Sequence, residues 1–293
     1  AVVTSFLLIY YFGYGDRARI GIMYFIWSQV GSISFLIGAA LSGSYIPPYY
    51  LSFWPAALLV FGLLVKMGTA GVHFWLPYAH AEAPTPLSAL LSPIHVGLMS
   101  YWLLALLPRS PLPSDVVAIY GAITAIYGSL LVFRESDIKR ALADSTIANM
   151  GLLAAAAALG NKEAVLMLFV GHALAKAAMF MVSGIGIAVQ NERRLGFLKL
   201  DLWTFAGSAL GLVALAGVFG ITLLGKAYLA LSSPPFLAPF LYVALFATAV
   251  YNFYIFDRLY KAGRADVTSP LWMAVPMILT SIAPYVLLFA PWI

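Results

Sequence analysis

Cysteine is absent from the 293 residues. Without thiolates the chain cannot form a disulfide or ligate an iron-sulfur cluster, so any redox chemistry it serves has to sit on another polypeptide. Charge is nearly as scarce. Only 9% of the residues are Asp, Glu, Lys or Arg, while 63% are apolar; an ordinary soluble domain carries roughly a quarter charged and half apolar residues. A water-facing surface cannot be assembled from this composition. What is present instead is a series of apolar stretches of about 20 residues, each long enough as a helix to cross a hydrocarbon core of about 30 Å. The stretches are too long and too uniformly apolar for barrel strands, so the expected fold is all-α, with every backbone polar group satisfied inside a helix.

Ten hydrophobic segments are expected, at 1–14, 20–43, 53–72, 86–107, 114–133, 141–159, 162–190, 201–230, 236–256 and 270–291. The first opens inside an apolar run without a signal-peptide pattern, which implies a natural chain that extends upstream of residue 1. The net charge of +5 would in another protein suggest nucleic acid. Here its placement carries the information, and no nucleic-acid partner is expected. One set of alternate loops holds Arg17, Arg19, Arg134, Lys139, Arg140, Arg193, Arg194, Lys199, Arg258, Lys261 and Arg264, whereas the other holds only Arg109 and Lys162. Positive charge is retained on the cytoplasmic side. The asymmetry therefore assigns the basic loops to the cytoplasm, both chain ends to the outer side, and the protein to the cell membrane.

Three lysines are left over, Lys66, Lys176 and Lys226, and all fall within apolar segments. A charge at the centre of a membrane helix costs about 2.5–3.5 kcal/mol on insertion scales. Snorkelling to the interface is one way to offset that cost. The functional alternative is a proton switch, because withdrawal from water disfavours an ammonium and lets a small electrostatic change load or unload it. His172 precedes Lys176 by four residues and shares its helix face, which makes the two a candidate relay pair. His95, deep in the fourth segment behind Pro93, is either a further relay member or a structural polar residue.

Lys66 and Lys226 end the similar tetrapeptides LLVK and LLGK, in segments that run in opposite directions. This suggests an inverted repeat, with 1–107 as a first half, 114–260 as a second and 270–291 as a terminal helix. Ion sites in such folds often lie at broken helices. Breaks are expected after each lysine, at Gly68, Gly71 and Pro77 and at Ser232, Ser233, Pro234 and Pro235. The passage after Lys66 reads GVHFWLPYAHAEAPTPLSALL, a polar, proline-rich stretch with His73, His80 and Glu82. No metal site is expected there, because the histidine spacing is wrong and no cysteine or acidic pair completes a ligand set. Haem is likewise unexpected, as the four histidines form no evident facing pairs. No cofactor is assigned.

The run VKMGTAGVHFWLPYAHAEAPTPLSALL, together with RARIGIMYFIWSQVGS on the second segment, SDIKRALADSTIANMG at 136–151 and HALAKAAMF at 172–180, resembles the antiporter-like membrane subunits of respiratory complex I (NADH-quinone oxidoreductase), membrane-bound hydrogenases and multi-subunit Na+/H+ antiporters. The resemblance covers nearly the whole chain and implies that its ten helices correspond to the fifth to fourteenth of a fourteen-helix inverted-repeat fold. By that resemblance Lys66 is the lysine of the broken seventh helix, paired in the family with a fifth-helix glutamate that falls about two residues before Ala1. His172 and Lys176 match the histidine and central lysine of the eleventh helix, and Lys226 the lysine of the broken twelfth.

The chain departs from the family at several points. Gly97 stands where many members carry a lysine, Ser92 where others have a histidine, and Leu168 where some have a second histidine. His95, three residues from Ser92, is a candidate substitute. The Pro-Pro pair that usually precedes the twelfth-helix lysine is missing from LAGVFGITLLGK. The implied function is a proton-translocating subunit without a redox centre, acting with other membrane subunits of a respiratory complex in the lipid bilayer. The alternatives are a subunit that exchanges Na+ for H+ on ion gradients, and a membrane anchor with no ion path.

Overall fold

The computed structural model describes residues 2–43 and 50–290. The ends of the first and last expected segments, Ala1 and residue 291, lie outside them. The fold is all-helical: α1 Val2–Phe12, α2 Arg17–Leu41, α3 Phe53–Met67, α4 Trp75–Glu82, α5 Thr85–Leu90, α6 Met99–Leu106, α7 Ser114–Val132, α8 Ile138–Ala158, α9 Lys162–Gln190, α10 Leu202–Ala216, α11 Ile221–Leu231, α12 Ala238–Lys261 and α13 Leu271–Val286. Among the described residues eight spans are long and apolar enough to cross a membrane, the interrupted stretches Thr85–Arg109 and Leu202–Leu231 counting as one each, and two shorter apolar helices are α1 and α3. The ten expected segments each overlap one of these.

Three helices are interrupted, each for a local reason. After α3 the chain turns through Gly68 at φ 64° and Gly71 at φ 86° before re-entering helix as α4, so the first part of the proline-rich passage is the second half of a broken helix and its remainder, from Thr85, opens the next span. Between α5 and α6 a wide turn over Leu91–Val96 carries Pro93, whose missing N–H leaves the regular ladder open. Between α10 and α11 the break is made by Gly217 at φ 71° and Gly220 at φ 92°. The expected break after Lys226, at Ser232–Pro235, instead ends the helix. The interruption precedes Lys226 because only glycine enters the left-handed region without strain.

The central helix is α8. Asp137 caps its start by accepting from the backbone amides of Lys139 at 2.7 Å and Arg140 at 3.2 Å, and it is buried along its length by α4, α6, α7, α9 and α12. Small residues allow this. Gly121 and Gly151 bring α7 and α8 so close that a Cβ on either would collide with the other helix's backbone. The connections sort to two ends. Backbone contacts join Tyr14 to Glu82, Ile138 to Arg193, Leu195 to Ser136 and Ala265 to Leu200, gathering the basic loops. Leu51 with Arg109, and Asn161 with Tyr228 and Ser232, tie the other end.

Candidate functional site: basic side chains buried in the bundle

Lys176 is fully buried at the middle of α9. Its Nζ donates to the Leu142 carbonyl at 2.6 Å and to the Ser145 hydroxyl, both on α8. Removing an ammonium from water and then leaving its donors unmet would be far more costly than this arrangement. One turn earlier on the same face, His172 is 1% exposed and lies against the Ser92 backbone, with neither ring nitrogen in a hydrogen bond of ordinary geometry among the described residues.

Lys226 is 6% exposed. It does not reach an interface: Nζ donates to the carbonyls of Leu215 at 3.1 Å and Ala216 at 2.7 Å and to Thr248 Oγ1 at 2.8 Å. The two carbonyls are the free end of α10, so the ammonium sits at the negative end of a half-helix dipole. The break supplies the acceptors. One turn before Lys226, Thr222 holds a buried hydroxyl with no partner among the described residues, against Gly171 beside His172.

Lys66 is half-buried in the last turn of α3, packed on Gly31 of α2, and its ammonium has no hydrogen-bond partner among the described residues. His95, also half-buried, lies in the wide turn within electrostatic reach of Lys66. The five expected residues thus fall into three stations: Lys66 with His95, Lys176 with His172, and Lys226 at its helix break.

Three buried groups escaped the sequence reading. Lys139, counted above with the loop lysines, is the second residue of α8 and fully buried, donating to the Ala83 carbonyl at 2.7 Å under the Tyr14 ring. Helix α4 and the Asp137 cap turn it inward. His80, placed above in the polar, proline-rich stretch and given no role there, is fully buried in α4, stacked on Phe180 at 5.1 Å, with both ring nitrogens unpartnered among the described residues. It faces Lys176, Lys139 and His95 electrostatically, and so stands between the stations. The third is Asp144 of α8, 2% exposed. A carboxylate six residues into a membrane helix was itself a legible signal. His73 bonds Tyr127 at 3.1 Å and stays with the α3–α4 break. Among the described residues no group of three His, Cys, Asp or Glu side chains is arranged to hold a metal.

A many-spanning helical bundle with lysines and histidines buried in its interior defines a polytopic membrane protein. The family model described as NADH:quinone oxidoreductase/Mrp antiporter, transmembrane, matches residues 1–221, and the chain belongs to that family. It is 24% identical over 92% of its length to NADH-ubiquinone oxidoreductase chain 4 of Lumbricus terrestris, covering 67% of that protein. It is 28% identical over 88% of its length to F(420)H(2) dehydrogenase subunit M of Methanosarcina mazei, covering 59%. Among solved structures, 98% of the chain superposes on 68% of a chain of respiratory complex I from Thermus thermophilus with a TM-score of 0.86 at 19% identity. It also superposes on a chain of the Mrp complex from Dietzia sp. with 0.83 at 17%, and on 66% of a chain of the archaeal membrane-bound sulfane sulfur reductase with 0.84 at 21%. The chain therefore spans about two thirds or less of these relatives.

Proposed function

We propose that the chain is a proton-translocating antiporter-like subunit of a redox-driven respiratory complex, relaying protons along Lys66, His95, Lys176, His172 and Lys226, with His80 and Thr222 as intermediate stepping points. The observation that carries this reading is Lys176, a fully buried ammonium with a histidine one turn away and only neutral hydrogen-bond partners. An ammonium on neutral acceptors is not locked into its charged form as it would be by a bonded carboxylate, so a modest field from a neighbouring subunit suffices to discharge it. Moving one proton against 100 mV requires about 2.3 kcal/mol, and each unit of pKa change supplies about 1.4 kcal/mol. Two coupled units of change are thus enough. The energy comes from partner subunits that hold the redox centres, and the basic loops face the cytoplasm of a cell membrane.

The two halves 1–107 and 114–260 act in this reading as inverted repeats, each with a broken helix. They are not superimposable lysine for lysine, since Lys66 closes the first half of its helix and Lys226 opens the second half of its own. A cation/proton antiporter subunit is the second reading, supported by the likeness to the Mrp complex. The test is Lys66→Ala and Lys176→Ala in the assembled complex, with proton pumping and electron transfer measured together in vesicles with and without sodium. Pumping is expected to be lost in both variants. Wild-type rates in both would overturn the relay, and transport that follows sodium with no electron donor would favour the antiporter.

A further inference from the structure

The relay needs a way in. The feature that points to one is Asp144, which lies between the two α8 residues, Leu142 and Ser145, that receive the Lys176 ammonium. It is 2% exposed, and its carboxylate accepts no hydrogen bond among the described residues. Its oxygens are nonetheless absent from the fully enclosed unpartnered atoms, so the small surface that remains to this residue is at the carboxylate itself. Asp144 and Lys176 interact electrostatically, yet they do not touch, since the ion pairs among the described residues are Arg193 with Asp137, Arg194 with Glu192 and Lys261 with Asp257.

The other charged groups facing Asp144 are Arg140, one turn earlier on α8, and Glu135 and Arg134 in the α7–α8 connection. From α4, His80 faces Lys176 rather than Asp144. From α12, Tyr251 is engaged with Asn149 and Ser145. Asp144 lies six residues into α8 from its basic-loop end, about 9 Å at 1.5 Å per residue. That is the depth of the Lys176 acceptors Leu142 and Ser145, and Asp144 interacts electrostatically both with Lys176 and with the charged α7–α8 connection.

We propose that Asp144 is the carboxylate through which protons reach Lys176 from the basic-loop side, closing on the lysine to deliver a proton and turning back toward Arg140 and the α7–α8 connection to collect the next. In the delivery step the O–H bond of protonated Asp144 breaks and an N–H bond forms on the neutral Lys176 amine, leaving a carboxylate and an ammonium. A hydronium ion on the loop side then returns a proton to the carboxylate and leaves as water, and Lys176 passes its own proton toward His172. A buried carboxylate without a bonded cation is costly to retain unless it changes charge or partner in use. The neutral acceptors on Lys176 leave room for that change.

This inference rests on the relay reading, and its test separates the two. Asp144→Asn, Asp144→Glu and Lys176→Ala are compared in vesicles holding the native complex, reading protons pumped per electron transferred. Asp144→Asn is expected to fall to the Lys176→Ala level, while Asp144→Glu retains pumping. A wild-type ratio in Asp144→Asn alongside a deficient Lys176→Ala overturns the inlet and leaves the relay standing. A wild-type ratio in Lys176→Ala overturns both. Infrared difference spectra of the wild-type and Lys176→Met complexes between acid and alkaline pH give a readout that packing alone would not move. A carboxylic C=O band absent from Asp144→Asn has to titrate in the wild type and shift its midpoint in Lys176→Met; an unmoved midpoint overturns the pairing.

Discussion

The two broken helices handle the same problem, an ammonium at a gap in the backbone ladder, in opposite ways. At α10–α11 the gap comes first and the lysine second, so Lys226 folds back onto the carbonyls of Leu215 and Ala216 that the gap exposes and takes Thr248 as a third acceptor. At α3–α4 the lysine comes first, and the carbonyls of its terminal turn are taken by backbone and hydroxyl donors, Gly68 on Val65 and Thr69 on Leu64. Lys66 is left without a hydrogen-bond partner among the described residues, within electrostatic reach of His95. Residue order at a break therefore decides whether the charge serves as a cap or stays available.

The largest expected effect breaks this comparison directly. Lys226→Met removes a charged donor from three buried acceptors, which is expected to lower the stability of the purified protein by about 2–3 kcal/mol and to stop transport. Lys66→Met removes no hydrogen bond within the chain and should stop transport at much smaller cost to stability. Thermal unfolding in detergent, followed beside proton pumping, checks both. Equal loss of stability in the two variants would mean that Lys226 caps nothing.

A smaller effect sharpens the same point at Gly217. It stands at φ 71°, where a side chain costs about 1–2 kcal/mol, and a Cβ there would lie 2.5 Å from Lys226 Cδ. Gly217→Ala should destabilise the chain by at least that backbone term and displace the lysine from its carbonyls. Transport should fall with Lys226 still present. Unchanged pumping in a destabilised Gly217→Ala would detach the cap from the relay.

The ten helices were legible because a membrane span declares itself by twenty apolar residues, whatever its packing. The charges inside them were legible for the same reason, and Lys66, Lys176 and Lys226 all fall where the hydrophobic pattern located them. What the pattern could not resolve was direction. Lys139 sits at a helix start beside Arg140, and sequence alone does not distinguish the side chain turned under Tyr14 from the one turned out over Tyr78. His80 was hidden by the prolines around it, which read as loop although Trp75–Glu82 is helix. The break before Lys226 was missed because its glycines lie in an apolar run, whereas the serines and prolines after it offered a louder signal at what is only the helix end.

The smallest effect belongs to the loops, where charge is solvated and the contrast between the two breaks disappears. Glu192 is hydrogen-bonded and paired to Arg194 at 2.9 Å, and that bond holds its carboxyl down at about 2, from an ordinary value of 4.5. A carboxyl depressed in the folded state contributes stability that is present above 4.5 and is lost as the pH falls toward 2. Because the pair lies at the surface, water and salt screen it, and exposed ion pairs add little. Glu192→Gln should therefore leave proton pumping and neutral-pH stability unchanged, and should flatten only the acid limb of the unfolding curve between pH 4.5 and 2. A pumping defect in this variant would mean that the basic loops take part in conduction, and that burial alone does not separate the conducting lysines from the rest.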